Sequence, residues 1–272
     1  MTKQQEQLMQ QVKNTALIVA VAVMLWVALV VGIHAYRSTQ DELLENGLIT
    51  NPYGTEDFAM KDGYLTCLTG EAWLGVDVSH HQGKIRWGEV AASGIRFAMI
   101  RVGHRSVSDG MVRADHYWGD NFAGAREAGL PIGVYFYSQA ISVEEAKEEA
   151  AFVLEQLNGA RLEFPVVFDW EIYSEDGRNA NMSPELVNAC AMAFCQEIER
   201  AGYQPMVYFN LDLANRFWDL EAFQQSGYPF WLAMYRNTMD CPYRVNMWQY
   251  TEKGTVAGID ALVDLNLYFL YE

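Results

Sequence analysis

The chain has 272 residues, 51% of them apolar or aromatic, which is enough to bury a sizeable core in one large domain or two small ones and excludes disorder as the default. Its formal net charge of -16 would repel another polyanion, so nucleic acid is excluded as the main partner and a neutral glycan fits better.

In chain order, the first element is the uncharged run 16–33, ALIVAVAVMLWVALVVGI. At ~1.5 Å per helical residue it covers most of a ~30 Å hydrocarbon layer. It is longer than the roughly 7–15 apolar residues of a signal peptide, and it lacks the polar face of a core helix. Residues 16–36 are therefore expected to form a transmembrane signal-anchor helix, with 1–15 as a cytoplasmic tail. Lys3 and Lys13 precede the run, whereas Arg37 follows it beside Asp41, Glu42 and Glu45. This slight basic bias favours an inside N-terminus and places the rest of a single-pass protein outside the cytoplasm. Residues 37–72 lack strong periodicity, and Asn46-Gly47, Asn51-Pro52 and Asp62-Gly63 mark turns, so this segment reads as an extracytoplasmic stalk.

From 73 to 272 the pattern changes to short β-branched and aromatic runs alternating with helical stretches, the signature of an α/β domain. Eight runs can be counted: 74–78, 97–102, 132–137, 166–170, 206–209, 230–235, 245–250 and 261–265. Helices are expected over 87–93, 120–128, 143–157 and 184–201. The third begins on a capping box, Ser142 with Glu145, and the fourth is framed by Ser183, Pro184 and Gly202. Connections among the last strands are shorter and less helical. The expected fold is an irregular eight-stranded TIM-like β/α barrel with an incomplete helical ring.

The four cysteines, Cys67, Cys190, Cys195 and Cys241, are too few for a disulfide scaffold and leave either free thiols or one bridge. No CxxC or other tight ligand spacing suggests a metal, and no motif calls for a cofactor. The acids Glu144, Glu145, Glu148 and Glu149 with Lys147 read as a solvated helix face.

A β/α barrel carries its chemistry at the C-terminal mouth. Asp77 ends the first run, Arg101 the second, Tyr137 the third, Asp169 and Glu171 the fourth, Tyr235 the sixth, Gln249 the seventh and Asp264 the eighth. Asp169 and Glu171 stand at i and i+2 of one strand, on one face and roughly 7 Å apart along it. Two mutually repelling carboxylates at the end of an apolar run raise the pKa of at least one, as a general acid near neutral pH requires. Glycoside hydrolysis needs such a proton donor and a second group at the oxocarbenium-like centre. Trp248, Tyr135 and Tyr137 are candidates for stacking on a sugar ring, each with core packing as the competing reading.

These residues carry a family resemblance. Gly75-Val76-Asp77-Val78-Ser79-His80-His81-Gln82-Gly83, with Ile85 and Trp87 after it, resembles the opening strand of glycoside hydrolase family 25. Phe97 to Arg101 resembles the second strand, Gly133 to Ser138 the third, and Phe168-Asp169-Trp170-Glu171 the Asp-x-Glu motif. Tyr208, the run from Trp231 to Tyr235, Met247-Trp248-Gln249-Tyr250 and Val263-Asp264-Leu265-Asn266 follow in order. The resemblance implies an N-acetylmuramidase of the lysozyme type that cuts the β-1,4 bond between N-acetylmuramic acid and N-acetylglucosamine in peptidoglycan. It implies Glu171 as proton donor and Asp169 as the residue assisting the reacting sugar, with Asp77 and Asp264 completing the catalytic acids. It implies Tyr137 and Gln249 as neighbours that bind or orient substrate, and Trp248, Arg101, Tyr235 and Tyr208 join them as candidate substrate-binding residues. Two other readings compete: a non-catalytic wall-binding scaffold, whose mark would be a missing acid, and a chitinase, whose fourth strand would carry a longer acidic string.

Overall fold

The computed structural model describes Leu44 and residues 47–271. The expected tail, the anchor helix and the first part of the stalk lie outside the described residues. Among the described residues, no helix is long and apolar enough to cross a membrane.

All eight apolar runs are strands, and they close into one barrel. In chain order they are β3 (Glu71–Val78), β4 (Phe97–Arg105), β6 (Ile132–Ser138), β7 (Val166–Trp170), β8 (Pro205–Asn210), β9 (Phe230–Ala233), β10 (Met247–Gly254) and β11 (Val263–Leu270). Sheet order is β3-β11-β10-β9-β8-β7-β6-β4, and β3 pairs with β4 to close the ring. A short strand, β5 (Val112–Ala114), returns antiparallel along the tail of β4.

The TIM-like expectation needs one correction. Neighbours from β3 through β10 run parallel, but β11 is antiparallel to both β10 and β3. The reason is chain length: only residues 255–262 separate β10 from β11, whereas a parallel crossover needs a dozen or more. The fold is thus a mixed α/β structure around a closed eight-stranded β barrel.

Period-2 alternation sorts the side chains. Phe97, Met99, Tyr135, Phe164, Val167, Met206, Tyr208, Trp231 and Met247 point inward and fill the barrel. Gly75 makes room for them, since a Cβ there would lie 2.3 Å from the Phe97 ring. Val76, Ile100, Val134, Phe168 and Trp248 point outward into a second apolar layer.

That outer layer is covered by α1 (Trp87–Ala92), α2 (Trp118–Glu127), α3 (Val143–Leu157), α4 (Pro184–Arg200), α5 (Leu211–Phe217) and α6 (Leu220–Gln225). The caps follow the sequence closely. Ser183 accepts from the Leu186 amide at 3.3 Å and Ser142 from the Glu145 amide at 3.2 Å. The return bond of the second cap differs, because the Glu145 carboxylate accepts from Ile141 at 3.0 Å instead of from Ser142.

The described helices cover only part of the ring, as expected, but the gap over β10 and β11 is filled. The described part of the segment expected to be a stalk folds onto the barrel through the hairpin β1 (Phe58–Lys61) and β2 (Tyr64–Cys67). Phe58 meets Trp248 edge-on with ring centroids 5.1 Å apart, and Tyr53 lies 4.9 Å from Phe269. Leu48, Phe58 and Leu65 are buried. Residues 44–72 therefore belong to the same compact unit as the barrel. Outward aromatic residues on strands that carry no helix must find another cover.

One open expectation is settled and another changes. The four cysteines are all free thiols. The acidic face of α3 is not solvated throughout, because Glu149 is fully buried against Arg105 at 2.7 Å, and Arg105 also pairs with Glu148 at 2.7 Å.

Candidate active site

The inward rows of the strands end in polar groups at one mouth, around a cavity of about 210 Å³. Asp77, Arg101, Tyr137, Asp169, Glu171, Tyr208, Tyr235, Gln249 and Asp264 all line it. These are the sequence-derived candidates apart from Trp248.

Trp248 is the correction. It is fully buried, its indole N–H donates to the Met234 carbonyl at 2.8 Å, and it packs under Phe58. The cause is strand parity. Gln249 faces the cavity, so its neighbour must face outward. A tryptophan that does reach the cavity is Trp231, two positions inward of Ala233 on β9.

Asp77 is the hub of the floor. Its Oδ2 accepts from Gln249 Nε2 at 2.9 Å and from Asn266 Nδ2 at 2.7 Å. Gln249 Oε1 in turn accepts from Tyr208 at 2.9 Å and from Tyr235 at 3.1 Å, and Asn266 Oδ1 accepts from the Trp231 indole at 2.9 Å. Each side-chain amide thus presents its nitrogen to the acid and its oxygen to aromatic donors, which fixes its orientation.

Asp264 sits directly opposite Asp77 in the β3–β11 register. Burial and the neighbouring Asp77 push its carboxyl up to about 9, so it stays protonated at neutral pH. Asp77 is raised by burial, and the hydrogen bonds from Asn266 and Gln249 oppose that rise.

Asp169 lies on β7 with its side chain inward, 6% exposed, and its Oδ1 has no hydrogen-bond partner among the described residues. Burial first, then the charges of Glu171 and Asp77, hold its carboxyl well above the usual range. Glu171 follows the strand end and is less buried. Burial and Asp77 raise it to about 7. Desolvation with like charges nearby is the physical route to a carboxylic acid that keeps its proton near neutral pH.

A guanidinium also faces these acids. Arg101, also inward, is held by Asp115 at 2.7 Å, and Asp115 also receives the backbone N–H of His80 at 3.0 Å. The His80 ring touches both Arg101 and Asp115. Tyr235 sits at the rim, 51% exposed.

Sequence reasoning missed Asp115, Asn266 and Trp231. Asn266 was within reach, because it stands two residues from Asp264 and shares its face. Asp115 gave no such signal, since it reaches the mouth only because β5 folds back on β4.

Residues 76–259 match the family described as Glycosyl hydrolases family 25. The chain is 30% identical over 207 residues to the uncharacterized protein YegX of Escherichia coli O6:H1, covering 71% of this chain and 68% of that one. It is 25% identical to the autolytic lysozyme of Clostridium acetobutylicum, over 71% of this chain and 54% of that one. Among solved structures, it resembles the modular autolysin LytC of Streptococcus pneumoniae with a TM-score of 0.66 at 22% identity, covering 78% of this chain and 52% of that chain. It also resembles a family 25 glycosyl hydrolase of Bacillus anthracis with a TM-score of 0.63 at 19% identity, covering 82% and 96%. With the family match running from β3 through β10 and taking in Asp77, Asp169 and Glu171, the chain belongs to glycosyl hydrolases family 25.

Proposed function

We propose that this glycoside hydrolase of the lysozyme type is an N-acetylmuramidase acting on peptidoglycan, with Glu171 as general acid and Asp169 assisting the substrate. The carrying observation is that Asp169 and Glu171 leave one strand end toward one cavity, with Glu171 raised to about 7.

Protonated Glu171 donates its proton to the glycosidic oxygen as the bond to the anomeric carbon breaks. Positive charge then grows on the reacting sugar. Asp169 is poised to stabilise it, because a cation in the cavity favours the ionised carboxylate that burial disfavours. In our reading it does so by orienting the sugar's acetamido group, whose carbonyl oxygen attacks the anomeric carbon, rather than by forming a bond itself. Asp77, held by Gln249 and Asn266, and the protonated Asp264 complete the acidic floor. Tyr137, Tyr208, Tyr235, Gln249 and Arg101 bind or orient the glycan.

The 16–36 run supports a membrane tether that would hold this activity at the outer face of the cell membrane. A protein washed from membranes by carbonate would contradict the tether. The catalytic roles are tested by Glu171→Gln and Asp169→Asn assayed on purified peptidoglycan. The first should abolish turnover while leaving glycan binding intact, and an active Glu171→Gln enzyme would contradict the assignment.

A further inference from the structure

Glu171 lies one residue beyond the end of β7, where no strand ladder holds its backbone. Its main-chain carbonyl is held in another way. Gln139 Nε2 and Asn179 Nδ2 each donate to that one oxygen, both at 2.8 Å. The two amides come from different loops, one after β6 and one before α4, and both are fully buried.

The amides are themselves braced. Arg178 donates to the Gln139 carbonyl at 2.6 Å and grips Glu145 with two bonds of 2.8 Å. Glu145 stands in the first turn of α3, where it caps the Ile141 amide at 3.0 Å. Gln139 Nε2 also donates to Ser138 at 3.1 Å, at the end of β6. A chain of short hydrogen bonds thus runs from the α3 N-terminus to the backbone of Glu171.

The side-chain oxygens of Gln139 and Asn179 have no protein partner among the described residues. Burying an amide with half its hydrogen-bonding capacity unmatched is costly. What these two residues share is the oxygen they hold, and that oxygen sets the direction in which the Glu171 side chain leaves the strand end.

We propose that Gln139 and Asn179 are positioning residues for Glu171, clamping its carbonyl so that its carboxyl stays aimed into the barrel mouth. The proposal rests on the reading of Glu171 as general acid. Neither amide lines the cavity, so they act through Glu171 and not on the substrate. A general acid displaced by a fraction of an ångström loses the alignment on which proton transfer depends.

The test uses Gln139→Leu and Asn179→Leu in the full chain, each of which removes the amide donor and keeps a branched side chain. With peptidoglycan, each variant should lose about tenfold in kcat with KM within about twofold, since positioning and not binding is impaired. The Glu171 carboxyl, followed by carbon NMR in both variants, should titrate closer to the ordinary carboxylate value, because a released Glu171 swings toward water. The NMR readout needs no turnover, so it decides the clamp even if the wild-type chain fails to cut peptidoglycan, which would sink the proposed function alone. If one variant does not fold, the other decides. Unchanged kcat and an unchanged Glu171 titration in a folded variant would overturn the proposal.

Discussion

Asp77 and Asp264 stand directly opposite each other across the antiparallel β3–β11 pair, and both line the barrel mouth. Burial raises both carboxyls and the neighbouring Asp77 raises Asp264 further, so Asp264 keeps its proton beside Asp77. The arrangement exists only because β11 is reversed. An eighth parallel strand would enter the mouth at its other end and bring different residues beside Asp77.

Replacing Asp264 by Asn should keep a polar side chain of the same shape opposite Asp77 and remove the need to hold a proton. The Asp264 carboxyl is raised from 3.8 to about 9 by folding. The folded state therefore binds a proton that the unfolded chain has released at pH 8, which opposes folding there. Asp264→Asn should stabilise the domain by at least about 1 kcal/mol at pH 8 and by almost nothing near pH 3, while activity falls. Thermal unfolding at the two pH values checks this, and equal effects at both would contradict it.

The pH dependence of the wild type has a definite sign. Glu171 and Glu149 are each raised from 4.5 to about 7 by burial. A raised carboxyl gives stability that is fully present below the unfolded value near 4.5 and is lost as pH rises through about 7. Activity should fall over the same upper range, as Glu171 loses the proton it must donate. Denaturant melts and a pH–rate profile would show both, and an enzyme that gained activity above pH 7 would contradict the general-acid role.

Trp248 and Tyr235 should part company in mutants. Trp248→Ala empties a fully buried site beneath Phe58 and should cost about 3–5 kcal/mol. Tyr235→Ala alters an exposed rim residue and should leave stability nearly unchanged while raising KM. Chemical denaturation paired with kinetics separates the two.

The hairpin has a consequence for where the domain begins. A chain starting at Trp73 loses Leu48, Phe58 and Leu65 and uncovers Trp248 and Phe269. It should aggregate or melt well below a chain starting at Leu44, and matching melting temperatures would contradict an integral role for residues 44–72.

Much of this was legible in the sequence because strand alternation is local. Each apolar run announces its strand, and the residue that ends the run announces what stands at the mouth, as Asp77, Asp169 and Glu171 show. Where the sequence misled, the deciding contact was distant. Trp248 and Gln249 are adjacent, and only the barrel's curvature tells which faces in. The run 261–265 reads as a parallel strand with Asp264 near its end, but Asp264 is the second residue of a reversed one. The eight-residue gap before β11 was the available clue. The turn-rich segment before Trp73 reads as a stalk because its few apolar residues show no period, yet Tyr53 and Phe58 pack on Phe269 and Trp248, far along the chain.

The central claim is tested most directly by incubating the chain spanning residues 44–272 with purified peptidoglycan and identifying the new reducing ends by mass spectrometry. The account predicts ends at N-acetylmuramic acid, released by the wild type and absent with Glu171→Gln. Ends at N-acetylglucosamine, or glycan left intact across the range where Glu171 is protonated, would contradict it.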